Sequence, residues 1–290
     1  MPVKESSFAV NGYQLAARQW HEGAPLKIIA CHGWLDNAAS FDVLAPLLDN
    51  CHIVALDMPG HGLSDHKPPQ ATYNIWDDLL DILAVADAMG WQTVNLVGHS
   101  RGAIISMLLA AAMPERIASL VMLDAIFPEP VDAADTARQL HKFLTGQRSL
   151  HNKRLPDYPS IDEAVAARCR AANMTASSAR LIAERGLSNR GGRFCWNSDP
   201  RLTTASAFKL TADHSRALLE AITMPNLLLL AEQGLGAIEQ VRQSATAGGA
   251  IDCRLLPGSH HFHMEQQAPL IAATMQRFYA EQNLSTISGD

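Results

Sequence analysis

From Lys27 to Met122 the chain alternates short, continuously apolar runs with longer stretches of helical periodicity. KIIAC (27–31), HIVAL (52–56), TVNLV (93–97) and SLVML (119–123) lack the polar alternation of a half-exposed strand. Such runs suit strands covered on both faces, as in a parallel sheet with helices on either side. Residues 75–89 place Ile75, Leu79, Ile82, Leu83, Ala86 and Met89 on one helical stripe, with Asn74 as the expected N-cap and Gly90 as the stop. The stretch 101–113 contains AIISMLLAAAM, apolar all round, as a helix buried behind a sheet should be. The pattern predicts an α/β fold with a mostly parallel, doubly wound sheet.

After Asp124 the rhythm changes. IFPEPVD breaks it, and no further apolar run of strand length occurs until NLLLLA at 226–231. Amphipathic stretches near 132–146, 161–172, 176–185 and 212–222 fill the interval. Ser160 and Glu163 have capping-box spacing, and Gly186 is placed for a helix end. A structureless loop of that length would be unusual, so 130–222 is expected to form an inserted helical cap, or lid. The core then comprises 1–129 and 223–290, resuming with strand 226–231, a helix at 236–246, strand 251–256 and a last helix from Pro269 to Gln282.

One polar residue interrupts the apolar centre of this pattern. Gly98-His99-Ser100-Arg101-Gly102 fits G-x-S-x-G between a strand and a helix. There a serine sits on a tight turn with its hydroxyl exposed at the sheet edge, and the helix N-terminus supplies backbone N–H groups for an oxyanion. A serine needs a base, and His260, in LLPGSHHFHMEQ, follows the strand 251–256 by a short turn and can reach the same edge. His261 and His263 compete with it. A metal site built from His260, His261, His263 and Glu265 is possible on residue type alone, but it lacks the helical H-E-x-x-H arrangement.

The imidazole needs an acid to orient it. Asp124 ends the strand SLVML, Glu232 follows NLLLLA, and both are placed for the right edge of the sheet; Asp124 is the working assignment and Glu232 the alternative. The oxyanion hole is expected from the backbone N–H groups of Arg101 and Trp34, the latter in CHGWLDNAASF after the strand 27–31. The Arg101 side chain is expected to form a structural ion pair, with binding of a substrate anion as the alternative, and His32, Asp57 and Ser64 to shape loops at the sheet edge.

Composition narrows the class further. The formal net charge is -6, charged residues make up 18%, and there is no block of like charge. This gives no footprint for nucleic acid or an anionic membrane. Five dispersed cysteines without CxxC spacing fit reduced thiols in a cytoplasm-like compartment. The first residues, MPVKESSFAVNG, lack an apolar signal core, and no apolar run reaches the roughly 18 residues of a membrane span. A cytoplasmic protein acting on a small molecule is expected; the oligomeric state stays open.

With these residues in view, the chain resembles the α/β-hydrolase superfamily over nearly its full length. HGWLDNAASFDVLAPLL (32–48), ALDMPGHGLSD (55–65), GHSRG (98–102) and GSHHFHME (258–265) match its landmarks in order. The first of these, with ERGL (184–187) and DPRL (199–202), looks like the serine hydrolase-like subfamily. The resemblance implies a Ser-His-Asp hydrolase with a helical lid and no cofactor, with Ser100 on the nucleophile and His260 on the base. Many relatives carry an aspartate soon after the strand matching 226–231, where this chain offers only Glu232. LVMLDAIFPEP (120–130) instead resembles the haloalkane dehalogenases, in which a carboxylate ends the previous strand, and this favours Asp124. Dehalogenases and epoxide hydrolases use an aspartate nucleophile, and serine at 100 argues against both. The expected activity is cleavage of an ester-like bond through an acyl-enzyme on Ser100. The alternatives are a non-catalytic binding protein that kept the pocket, and a C–C bond hydrolase or cofactor-free peroxidase on the same triad.

Overall fold

In the computed structural model, which describes residues 3–150, 155–235 and 251–284, an eight-stranded sheet organises the chain. Its strands are β1 (Lys4–Val10), β2 (Tyr13–Trp20), β3 (Leu26–Cys31), β4 (Cys51–Leu56), β5 (Val94–His99), β6 (Ile117–Leu123), β10 (Asn226–Gln233) and β11 (Asp252–Ser259), in the spatial order β1-β2-β4-β3-β5-β6-β10-β11. The pairings of β3 with β4 and β5, of β6 with β5 and β10, and of β10 with β11 are parallel. Those of β2 with β1 and β4 are antiparallel. The continuously apolar runs are the central strands, with β4 and β5 buried along their whole length.

The β1–β2 hairpin is the element that the apolar-run reading passes over. Its strands alternate, with Leu15 and Ala17 buried and Gln14 exposed, because only one face is covered. Asn11 and Gly12 make the two-residue turn at φ 50° and 87°, the type I′ geometry that matches strand twist.

Two apolar clusters lie on opposite faces of the sheet. One packs α1 (Asp77–Ala88) and α2 (Arg101–Ala112) through Ile82, Val85, Ile105 and Leu109. The other packs the C-terminal helix α7 (Ala268–Glu281) through Ile271, Met275 and Phe278. The α1 N-terminus differs from expectation: Trp76 occupies the N-cap without a side-chain bond, while the Asn74 carbonyl accepts from Asp77 N at 3.1 Å in the preceding turn. Gly90 ends α1 at φ 68°, and Trp91 N reaches back to Ala86 O at 2.8 Å, a Schellman closure.

Between β6 and β10 lie α3 (Thr136–Ser149), α4 (Ile161–Ala172), α5 (Ala176–Gly186) and α6 (Ala212–Glu220), close to the expected stretches. A small antiparallel sheet of β7 (Asp157–Tyr158), β8 (Leu187–Arg190) and β9 (Arg193–Trp196) accompanies them, in the order β7-β9-β8. Strands of two to four residues leave no readable period. Ser160 caps α4 by accepting from Glu163 N at 3.2 Å. Gly186 ends α5 for reasons of space, since a Cβ there would lie 3.0 Å from the Trp196 ring. Leu219 and Ile222, at the end of α6, join the sheet-face cluster that holds α2. The helix expected at 236–246 falls outside the described residues.

Candidate active site

Ser100 stands between β5 and α2 at φ 53°, ψ −118°, a region that costs a non-glycine residue about 1–3 kcal/mol. The surroundings hold it there. Ser100 N donates to Leu123 O at 3.0 Å, tying the turn to β6. A Cβ on Gly98 would lie 2.3 Å from Gly102 O, and one on Gly102 would lie 2.0 Å from Cys31 O. Both glycines of the motif are therefore imposed by backbone contact. The Ser100 hydroxyl makes no hydrogen bond with any described residue.

The imidazole and the carboxylate meet. His260 Nδ1–H donates to Asp124 Oδ2 at 2.6 Å, with the Asp124 side chain 2% exposed and that of His260 14%. The His260 ring packs against His99, centroids 4.6 Å apart, and His99 Nε2–H donates to the His260 carbonyl at 2.9 Å. The loop carrying His260 is thus fastened to the residue just before Ser100.

Asp124 is built to be held still. It adopts φ 53° immediately after β6, and its N–H donates to Leu229 O at 2.8 Å. Oδ1 accepts from Ala231 N at 2.9 Å, and Oδ2 from Leu235 N at 3.2 Å as well as from His260. These N–H groups come from the AEQGL stretch. A Cβ on Gly234 would sit 2.3 Å from the Asp124 carboxylate oxygens. That stretch supplies donors to the acid, whereas Glu232, the alternative acid, is exposed.

The competing histidines are engaged elsewhere. His263 Nε2 pairs with Ser40 Oγ at 2.9 Å, and His261 Nε2 lies 3.4 Å from Asp36 Oδ2. Burial, with further histidines around them, pushes His99 and His263 well below the usual imidazole range, so both stay neutral. Burial alone would raise Asp36, but Arg168 from α4 and His261 hold it well below the usual carboxylate range. The four groups of the possible metal site do not converge: Glu265 instead accepts from Thr175 N and Ser259 Oγ. Asp36, His99 and His261 do converge, all buried, but Arg168 already balances the Asp36 charge.

The loop after β3 packs against the elbow, where a Cβ on Gly102 would lie 2.7 Å from His32 O. Among the described residues, neither Trp34 N–H nor Arg101 N–H donates to a protein acceptor. The Trp34 ring donates through Nε1 to Leu202 O at 3.0 Å, and the Arg101 guanidinium pairs with buried Asp78. The loop itself is braced from behind. Met58 N donates to His32 Nε2 at 3.0 Å, so His32 Nδ1–H donates to Gly33 O at 2.7 Å. Asp57 accepts from Ala38 N at 2.7 Å, Leu63 N at 2.8 Å and the Arg185 guanidinium at 3.0 Å. Ser64 closes its turn by donating to Asp57 O at 2.6 Å. The Arg185–Asp57 contact, 128 residues apart in sequence, leaves no local signature.

A cavity of about 260 Å³ opens beside the elbow. It is lined by Arg101, Ile104 and Leu108 of α2, the first of them one residue past Ser100, and by Trp34, Trp76 and Phe208. Its size falls just under the roughly 300–1,000 Å³ of drug-sized ligand sites.

Comparison with known proteins agrees with this architecture. The sequence profile of the alpha/beta hydrolase fold matches residues 28–267. A serine hydrolase-like protein of Dictyostelium discoideum is 30% identical over 95% of this chain and 81% of its own length. A probable serine hydrolase of Drosophila melanogaster is 30% identical over 90% of this chain and 83% of its own. A crystal structure of a hypothetical protein from Pseudomonas aeruginosa PAO1 superposes with a TM-score of 0.92 at 39% identity, covering 96% of this chain and 99% of that one. No helix among the described residues is long and apolar enough to cross a membrane. The family evidence supports hydrolase activity in general, and the chain belongs to the alpha/beta hydrolase fold family, within its serine hydrolase-like group.

Proposed function

We propose that the protein is a serine hydrolase that cleaves an ester-like bond of a small, partly apolar substrate through an acyl-enzyme on Ser100. The observation that carries this reading is the 2.6 Å pair of His260 and Asp124, on a loop fastened to the residue before the elbow serine. His260 takes the Ser100 proton as the hydroxyl attacks the carbonyl carbon, then returns it to the leaving group. Asp124 fixes the tautomer with Nδ1 protonated and Nε2 free to act as base. The unused N–H groups of Trp34 and Arg101 receive the oxyanion, each contributing about 3 kcal/mol to the transition state. Water activated by His260 then releases the acid. No cofactor or metal enters these steps, and the compartment is proposed to be cytoplasmic. Residues 130–222 form the cap over the site, with α4 and α5 anchored to the core by the Arg168 and Arg185 ion pairs.

A fluorophosphonate probe is expected to add one phosphonyl group to Ser100, located by peptide mass spectrometry, and a graded p-nitrophenyl ester panel is expected to be turned over. Ser100→Ala should lose both. No labelling and no turnover by the native protein would leave the binding-protein reading in its place. The support for Asp124 can be tested separately. Gly234→Ala should push the carboxylate off the imidazole and lower kcat by about 10²-fold, the scale of a 1 Å misplacement, with an unchanged circular dichroism spectrum. Native kcat in this variant would reject the close-approach account of Gly234.

A further inference from the structure

We infer that the substrate carries an anionic group, a carboxylate or its equivalent, remote from the scissile bond, and that Lys209 recognises it. The inference rests on the assignment of Ser100 as nucleophile, because it concerns the cavity that begins one residue beyond it. Apolar and aromatic side chains form most of that cavity, and two cations line it, Arg101 and Lys209. They differ in one respect. The Arg101 charge is spent on Asp78, whose side chain is 3% exposed. Lys209 has no ion pair or hydrogen bond with any described residue, and it is only partly exposed.

In a site of this kind, a few polar groups on apolar walls set orientation and specificity. The whole chain carries -6, which disfavours anions at long range, yet the cavity beside the elbow is lined by a lysine that has no ion pair among the described residues. The Ser206 hydroxyl, which also lines the cavity, adds hydrogen-bonding capacity for an oxyanion. A neutral alkyl ester would leave both groups unanswered. A half-ester of a dicarboxylic acid would place its alkyl body on Ile104 and Leu108 and its free carboxylate at Lys209.

The test compares monomethyl with dimethyl esters of the same straight-chain dicarboxylic acids, from four to eight carbons, so that only charge differs within a pair. Binding is measured by calorimetry on the Ser100→Ala protein, which separates recognition from turnover. For at least one chain length the monomethyl ester should bind tenfold or more tightly than the dimethyl ester. Lys209→Met in the same background should erase that ratio, and Lys209→Arg should keep it. In the protein with Ser100 intact, the ratio of kcat/KM values should follow the same order. Equal or tighter binding of the dimethyl esters throughout, no measurable binding of either, or a ratio that survives Lys209→Met would overturn the inference. Failure of the nucleophile assignment would appear differently, as ester turnover that persists in Ser100→Ala.

Discussion

Replacing Asp124 with asparagine is expected to lower kcat by about 10³–10⁴-fold while leaving KM and the fold nearly unchanged. The amide is isosteric but offers a single oxygen, which can serve Ala231 N or Leu235 N and not both. The Nδ1–H of His260 would then face either an amide nitrogen, a clash of donors, or a neutral oxygen without the charge that stabilises the imidazolium. The first favours the wrong tautomer, with Nε2 protonated and unable to take the Ser100 proton, and the loss on that account is about 10⁴. Glu232→Gln serves as the counterpart. Its side chain is exposed, and its kcat should stay within about twofold of the parent. Steady-state kinetics on the best ester of the panel decides between the two acids. A large loss in Glu232→Gln together with a small one in Asp124→Asn would reverse the assignment.

That acid also marks where sequence reasoning reaches and where it stops. The position of Asp124 could be read because a carboxylate at the end of an apolar run must emerge at the sheet edge, and that of Ser100 because glycines on either side of a serine at a strand-to-helix junction mark a tight turn. Both inferences are local. The choice of Asp124 over Glu232 is not, since it depends on which way a loop after β10 turns, and Gly234 reports that turn only once the carboxylate is seen against it. Strand type was legible where both faces are covered and was missed in β1–β2, where only one is. The β7–β9–β8 sheet is too short to show a period. The ion pairs that fasten α4 and α5 span more than a hundred residues, and no spacing rule carries over such a distance.

The pair that carries most of that fastening should also dominate stability. Arg185 lies on α5 with its side chain 1% exposed. It meets Asp57, which is fully buried, through Nε at 3.0 Å, and Glu5 on β1, which is half exposed, through Nη1 at 2.8 Å. Arg185→Met keeps most of the volume and removes the charge. Asp57 would retain its two backbone donors, Ala38 N and Leu63 N, but its charge would be buried without compensation. The expected cost is about 3–5 kcal/mol, which for a chain of this size corresponds to a fall in Tm of roughly ten degrees. The exposed partner should matter far less, with Glu5→Gln costing about 0–1 kcal/mol. The cause can be separated from simple loss of packing. If the penalty comes from the orphaned carboxylate, Asp57→Asn combined with Arg185→Met should be more stable than Arg185→Met alone. Because Asp57 also holds Ala38 N, four residues past Trp34, the single variant should lose esterase activity below its unfolding temperature as the oxyanion loop loosens, and the double variant should recover part of it. Denaturant melts that put Arg185→Met within 1 kcal/mol of the parent, or a double variant weaker than the single, would show that the buried pair does not fasten α5 to the loop after β4.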